Sequence, residues 1–540
     1  MSRRVLTALA AVVLVGGASL FVSRMRRPAR GGGPIVIFLV DTLRFDRMSA
    51  YGAARPTSPA ARALALEGVR YDFAYSSSSW TRPAVASLFT SRWPAEVGAS
   101  GRGGAVSPAA STVAAVLQRK GWRTAGFCAN YLVSDESFGF RRGFDLFQPI
   151  LSIPEEDWGI PVARRVVQPA IAWMRAQRDP RFFLYVHVMD PHSDWGTEGN
   201  PYRHWSPGYE NLFPTGRPAA ASDREWDLSR YDALIRQADD QFGALRRALE
   251  EKGWWHSALV AYLADHGEEF FEHGATNHGE TLFEEVVRIP LIVKAPGWGK
   301  AGDVVRSTVT ILDVLPSIAG WVGLPSDPGW RGHRLDRGDP EGSEETAYFS
   351  NELDRSRLYA LRAGSKKVIA SLTPPFRVEF DLDTDPSEQK PVPVEAALAE
   401  RLERLRRLET SWLGGLRIQK VRRASFALQG FVEVPKGGMP YLSLSDRDRF
   451  PVASSDPDRL PIALTVGLDE SFEAHFLTLD GEDVPRPRLR VNSGGAWIPL
   501  ETAGDGAPLR IAHKPRTTLT PQQLSEAVSR MRALGYLGGD

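Results

Sequence analysis

The chain has 540 residues, 43% hydrophobic and 24% charged, a balance that belongs to globular protein and excludes a disordered one. Its 66 lysines and arginines nearly cancel its 65 aspartates and glutamates, so no basic field argues for nucleic acid as a partner. The single cysteine, Cys128, excludes an intrachain disulfide and any zinc cluster built on thiolates, and it reads as a small buried hydrophobe.

The first predicted element is Val5 to Val22, 18 uncharged residues between Arg3-Arg4 and the linker "SRMRRPARGGG". That length lies at the lower edge of a membrane span and above a usual signal-peptide core, so residues 1–33 read as an uncleaved anchor or signal followed by a linker. Charge does not fix the orientation: Arg24, Arg26, Arg27 and Arg30 outnumber Arg3 and Arg4, which keeps the large domain cytoplasmic by the positive-inside count. Ser2-Arg3-Arg4 resembles a twin-arginine export signal, which points the other way. The expectation is a membrane-anchored domain on the extracytoplasmic, periplasmic side.

Three apolar runs follow, each closing on an acid: "PIVIFLVD" at Asp41, "FFLYVHVMD" at Asp190 and "ALVAYLAD" at Asp265. Continuous runs of this kind suit strands of a parallel sheet covered on both faces. Amphipathic segments such as "SPAARALALEGV" and "STVAAVLQRKGW" lie between them and end at glycine as helices commonly do. The alternation predicts an α/β fold, a mostly parallel sheet sandwiched by helices, with ligands gathered beyond the carboxyl ends of the strands. A lone aspartate there is more often a turn or helix cap than a ligand.

Between the first two runs, "SSSSWTRPAVASLFTSRWP" offers eight hydroxyls around a helix start. Thr81, with Pro83 in the first turn, reads as an N-cap. A helix start is also an anion site, so the capping and catalytic readings are compatible. The histidines favour chemistry. "HVMDPH" carries His187 and His192, and "DHGEEFFEHGATNHG" carries His266, His273 and His278. Oxygen and imidazole ligands without thiolate favour zinc or manganese, with calcium or magnesium as alternatives.

The blocks from "IVIFLVDTLRFDRMSAYG" through "SSSSWTRPAVASLFTSRWP", with "FFLYVHVMDPHSDW" and "LADHGEEFFEHGATNHGETLFEEVVRIPLIVKAPG", resemble the sulfatase branch of the alkaline phosphatase superfamily. "YALRAGSKKVIASLTPPFRVEFDLDTDPSEQK" resembles the terminal hairpin of such domains, which carries the likeness to about residue 390. The resemblance implies the alkaline phosphatase-like fold, one or two divalent metal ions and an ester substrate, with lipid or glycan as its carrier. It implies Asp41, Asp265 and His266 as metal ligands, and Thr81 as a nucleophile that also binds metal. His192 falls near the leaving group, and His278 matches the second-metal spacing of phosphoethanolamine-type transferases.

The departures are informative. Sulfatases carry cysteine or serine, any residue, proline, any residue and arginine, and oxidise the first residue to formylglycine. Here the five are Thr81, Arg82, Pro83, Ala84 and Val85, so no formylglycine is expected. Asp41-Thr42 replaces paired aspartates, "DHG" replaces Asp-Asn, and Asn130 stands where a lysine is usual. Each change favours a threonine-based phosphotransferase or phosphodiesterase in which Asn130 and Arg82 steady the charged oxygens. The alternatives are an ordinary sulfuric ester hydrolase and a catalytically degenerate binder of an anionic glycan or lipid.

Other polar residues have plainer expectations. His273 reads as a solvated loop residue, Glu268 and Glu269 as a charged loop face, Arg82 equally as an exposed first-turn residue, and Lys294 as the end of a strand. His187 divides evenly between core and catalytic roles. The catalytic domain is expected over 34–415, closing with an amphipathic helix that carries Leu398, Leu402, Leu405 and Leu408. Period-two alternation, as in "PIALTVGL", predicts a β-sandwich-like module over 416–515, and a capped helix closes the chain over 516–540.

Overall fold

A computed structural model describes residues 31–101, 104–107, 110–151, 162–192, 224–327, 329–337, 346–353, 356–372 and 375–410, together with the backbone of eight strands between 414 and 514. The expected anchor at Val5 to Val22 lies outside these residues, as does the expected helix of 516–540. Among the described residues no helix is long and apolar enough to cross a membrane.

The first strand, β1 (Ile35–Val40), reads IVIFLV and buries all six side chains. A strand turns alternate side chains to opposite faces, so complete burial demands cover on both sides. The other strands of the first sheet are β2 (Val69–Tyr75), β3 (Arg123–Cys128), β4 (Leu146–Pro149), β5 (Phe182–Val188) and β6 (Leu259–Ala264). A small hairpin of β7 (Glu269–Phe270) and β8 (Thr276–Asn277) precedes β9 (Arg288–Lys294) and β10 (Asp303–Thr310). The lateral order of the large sheet is β10-β2-β9-β6-β1-β5-β3-β4, and β9 is antiparallel to both its neighbours while the other pairings are parallel.

Helices α1 (Pro59–Glu67), α3 (Val162–Ala176) and α4 (Arg224–Glu251) cover one face. Helices α2 (Thr81–Thr90) and α5 (Val314–Trp321) cover the other. Phe38 of β1 packs on Phe242 of α4 with ring centroids 5.1 Å apart. Tyr185 of β5, which is in register with Ile37 and so shares the opposite face, packs on Phe89 of α2 at 4.9 Å. The apolar runs are therefore long and unbroken because neither face meets water.

A second sheet is an antiparallel meander of β11 (Thr346–Leu353), β12 (Ser356–Ala363), β13 (Lys366–Leu372) and β14 (Pro375–Asp381), the hairpin region anticipated from sequence. One of its faces packs Phe349, Ala360 and Ile369 against Tyr75 and Val287. The other receives Leu398 and Leu402 of α6 (Ala396–Thr410) beside Tyr359 and Val368. Beyond it run β15 (Gly414–Lys420), β16 (Phe426–Glu433), β17 (Leu442–Leu444), β18 (Arg459–Val466), β19 (Glu473–Thr478), β20 (Arg486–Asn492), β21 (Ile498–Pro499) and β22 (Leu509–Lys514). They form two four-stranded antiparallel sheets, ordered β17-β19-β15-β22 and β18-β16-β20-β21.

Candidate active site

Register brings the two acids together. Val40 is opposite Ala264 across the parallel β1–β6 pair, so Asp41 and Asp265 leave adjacent strand ends side by side. Both are fully buried. Asp41 Oδ2 accepts from Asn130 Nδ2 at 2.6 Å and from His187 Nε2 at 2.9 Å. Asp265 Oδ1 accepts from the backbone N–H of His266 at 2.9 Å and of Thr42 at 3.3 Å. The remaining oxygens, Asp41 Oδ1 and Asp265 Oδ2, accept no hydrogen bond, an arrangement that costs free energy unless something positive sits between them.

The third member of the cluster is His266, also fully buried. Its Nδ1 lies 2.9 Å from the carbonyl oxygen of Gly267, which can only accept, so Nδ1 carries the proton and Nε2 keeps its lone pair. Nε2 stands 3.4 Å from Asp265 Oδ2 and 3.7 Å from Asp41 Oδ1. Two bare carboxylate oxygens and one imidazole lone pair, all within 4.8 Å of one another, fit a divalent cation.

The electrostatics agree. Burial, joined by the Asp41 charge, pushes the Asp265 carboxyl up to about 8. Burial, joined by His278, holds His266 well below its usual value, in the neutral form that ligates metal. Against its own burial, Asp41 is held below the usual carboxylate range by the hydrogen bond and charge of His187. A cation in the cluster would restore the ionised form of Asp265.

Thr81 begins α2, but its side chain makes no cap hydrogen bond; the extended Trp80 is the N-cap residue. The capping expectation is thereby corrected. Thr81 Oγ1 instead lies 3.3 Å from His266 Nε2 and accepts from Asn130 Nδ2 at 3.3 Å. With Nδ1 of His266 protonated, the hydroxyl donates to Nε2, and Asn130 ties Thr81 to Asp41. Asn130 is held for this by its own helix start, where its Oδ1 accepts from Leu132 N at 2.8 Å.

His278 lies beside the cluster, its ring centroid 4.5 Å from that of His266 and 5.0 Å from that of His192. Its Nδ1 meets Glu268 Oε1 at 3.0 Å, and this carboxylate raises the His278 value against the effect of burial. The structure thus brings Thr81, Asn130, Asp41, Asp265, His266, His278 and His192 to one edge of the sheet. Arg82 is fully buried and not an exposed first-turn residue: Nη1 donates to the carbonyl oxygens of Gly101 and Gly104 at 3.1 Å each, and the guanidinium stacks 3.7 Å from the Phe138 ring centroid.

Several plainer expectations change. Glu268 and Glu269 are buried, not a solvated face, because His278 and Thr281 Oγ1 reach their carboxylates. His273 is stacked on Phe283 with centroids 3.5 Å apart instead of standing in solvent. Asp190 turns both oxygens to structure, accepting from Ala163 N and Gln237 Nε2 at 2.7 Å each. His187 lies in the core and bears on the site, because Tyr185 OH at 2.9 Å from Nδ1 orients the ring toward Asp41.

Sequence reasoning missed two supports. Thr42, a β-branched residue, is held at φ 55°, a conformation that costs on the order of 1–3 kcal/mol. Tyr231 of α4 donates to Thr42 O at 2.5 Å and accepts from Arg44 N at 2.8 Å, which pins this turn. Arg44 in turn reaches Glu268 O at 3.0 Å and Glu272 Oε1 at 2.7 Å. Nothing local in the sequence marks contacts spanning some 190 residues or more.

A family model described as Sulfatase matches residues 34–324. An ulvan-active sulfatase of Formosa agariphila is 25% identical over 342 residues, which span 58% of this chain and 66% of that relative. Among solved structures, a phosphonate monoester hydrolase of Agrobacterium radiobacter superposes with a TM-score of 0.62 at 20% identity, covering 70% of this chain and 96% of its own. A protein solved in complex with its substrate D-glucosamine-2-N,6-O-disulfate superposes with a TM-score of 0.58 at 19% identity, covering 69% of this chain and 96% of its own.

Proposed function

The chain belongs to the sulfatase family, and from that premise we propose that it is a metal-dependent hydrolase or transferase of phosphate esters or diesters with Thr81 as its nucleophile. The observation that carries this reading is the Thr81 hydroxyl: it is withheld from capping and set between Asn130 Nδ2 and His266 Nε2, next to two carboxylate oxygens without partners. Asp41, Asp265 and His266 would hold the cation, of the zinc or manganese class. When bound there, a divalent ion supplies the charge that makes an alcohol a competent nucleophile and steadies the ester oxygens.

The remaining steps belong to the chain's own residues. Thr81 Oγ1 attacks phosphorus and releases its proton to water, the bond from phosphorus to the leaving oxygen breaks, and His192 or His278 delivers a proton to that oxygen. Asn130 and the first N–H groups of α2 face the developing charge. Water or an acceptor alcohol then attacks phosphorus, and Oγ1 leaves and regains a proton. Arg82, by its contacts, braces Gly101 and Gly104 against the helix start.

Phosphate is preferred to sulfate because threonine lacks the hydrate hydroxyl through which formylglycine enzymes expel sulfate, whereas a phosphothreonine can be attacked again at phosphorus. A second reading, a sulfuric ester hydrolase acting on a glycan, is favoured by the names of the Formosa relative and of the disulfated-glucosamine complex. Paired phosphate and sulfate esters assayed on the full chain, with mass spectrometry of the Thr81 peptide after a quench, separate the two. Phosphorylated Thr81 and faster phosphate release are expected; sulfate release with an unmodified or oxidised residue 81 would overturn the proposal.

The domain limits at 33/34 and 515/516 belong to the same proposal, with the limit expected at 415/416 moved ahead of Gly414 because β15 begins there, as does the extracytoplasmic tether, which is supported by the uncharged segment Val5 to Val22. Release of the full chain from membranes by alkaline carbonate would argue against the tether.

A further inference from the structure

A second group of a histidine and two carboxylates lies outside the catalytic cluster and shares no residue with it. His273 comes from the β7–β8 hairpin, Glu285 from the short helix Glu284–Val287 and Glu388 from the segment after β14. One ligand-type atom from each lies within 4.8 Å of the others. Glu285 is 8% exposed and Glu388 2%.

The contacts inside the group are those of ligands awaiting an ion. His273 Nε2 and Glu285 Oε1 are 3.2 Å apart, yet neither atom meets the geometry of a hydrogen bond with the other or with any other described atom. Nearly complete burial makes that a real cost for the Glu285 oxygen. His273 is the ionisable group within ion-pair distance of Glu285 among the described residues. Burial holds His273 below its usual value, so the ring is neutral and has a lone pair to give.

Charge points the same way. Lys367, fully buried, bridges Glu388 at 2.9 Å and Glu284 at 3.2 Å, and Glu284 also takes a hydrogen bond from Tyr75 at 2.8 Å. Arg288 and Arg362 also bear on Glu284, while burial pushes both Glu285 and Glu388 up to about 7, so an arriving cation would favour their ionised forms. Glu388 Oε2 is fixed by Glu284 N at 2.6 Å, and Oε1, although within ion-pair distance of Lys367, accepts no hydrogen bond.

We propose that His273, Glu285 and Glu388 bind a second divalent cation, of the zinc or manganese class, which clamps the loop carrying His266 and His278 to the segment after β14. The mechanical link is short. Gly267 N donates to Val286 O at 2.7 Å, and a Cβ at Gly267 would stand 2.0 Å from Glu285 O, so the Glu285 backbone presses directly on the residue after His266. The ion's task there is to hold the loop, since its three ligands come from the β7–β8 hairpin, the short helix and the segment after β14 and would tie the three together.

The test uses the full chain, stripped with chelator and reloaded with Mn²⁺ alone. Anomalous diffraction from Mn²⁺-loaded wild-type crystals should show a peak among the three side chains, and no peak there overturns the proposal whatever the catalytic cluster holds. In solution, Glu285→Gln should bind one equivalent less than wild type, and Asp265→Asn should lose a different equivalent, so that the double variant binds neither. Equal Mn²⁺ content in wild type and Glu285→Gln overturns the proposal. If Glu285→Gln fails to fold, the wild-type diffraction decides alone.

Discussion

Three strands of one sheet end in aspartate, and the three side chains have different fates. Asp41 and Asp265 each satisfy one oxygen and leave the other bare beside His266. Asp190, two residues beyond the end of β5 where the others follow their strands directly, turns one oxygen to Ala163 N and the other to Gln237 Nε2. All three are buried, so burial does not distinguish a proposed ligand from a cap. The distinguishing feature is whether the fold supplies donors to both oxygens, since an oxygen denied a partner in the interior is stabilised only by something that arrives from outside. The site is therefore built at a cost in stability that the helix-capping aspartate does not incur to the same degree.

The strongest way to break this comparison is at the residue the two bare oxygens serve. Thr81→Ala is expected to lower kcat by about 10³-fold or more with metal content unchanged, whereas Thr81→Ser retains measurable turnover. Steady-state kinetics beside metal analysis decides it. An alanine variant with nearly normal kcat would make the bare oxygens a feature of structure alone.

Asp265→Asn sharpens the contrast from the other side. The amide oxygen still accepts from His266 N and Thr42 N, but the charge is gone. The variant should lose the strand-end cation and turnover with it. In the metal-free chain it should melt at an equal or higher temperature, because the carboxyl it replaces is pushed up to about 8 by burial and by Asp41. A clear fall in metal-free melting temperature would mean that Asp265 is stabilising in its own right.

The sheet and its two-sided cover were legible because β1, β5 and β6 read as unbroken apolar runs. The nearness of Asp41 to Asp265 was not, since it follows from the pairing of Val40 with Ala264, and period-two patterning does not say which strands become neighbours. Thr81 was legible as a helix start and misread as its cap: the sequence shows a threonine two residues before a proline, and the shift by one residue comes from His266 claiming the hydroxyl. Glu268 and Glu269 look like a solvated face in "DHGEEFF" because their partners, His278 and Thr281, lie beyond a hairpin. Resemblance supplied the ligand set; the geometry supplied which oxygens remain unpartnered.

His187 tests how far the support of Asp41 extends. Its Nε2 donates to Asp41 Oδ2 at 2.9 Å, so His187→Phe leaves Asn130 to hold that oxygen. The expected result is a roughly 10- to 100-fold weaker Mn²⁺ affinity, read by titration calorimetry, with the fold retained by circular dichroism. Unchanged affinity would confine His187 to the core.

The smallest effect belongs to Asp190, and it concerns stability with pH. Burial pushes this carboxyl from 3.8 up to about 6, against the hydrogen bonds from Gln237 and Ala163. A carboxyl with a folded value above its unfolded one favours the folded state while protonated. Its contribution is thus complete below about pH 4 and is lost as pH rises through 6, a change of roughly 3 kcal/mol. Asp190→Asn cannot titrate and keeps one of the two acceptor bonds. The variant should be less stable than wild type by about 1 kcal/mol at pH 4.5 and, because wild type loses roughly 2 kcal/mol more by pH 7, should be the more stable of the two by about 1 kcal/mol there, as melting curves across the range would read. Turnover should stay within a few-fold of wild type, because both oxygens of Asp190 are already occupied by the scaffold. A hundredfold loss would place Asp190 with Asp41 and Asp265, and satisfied donors would no longer separate the cap from the ligands.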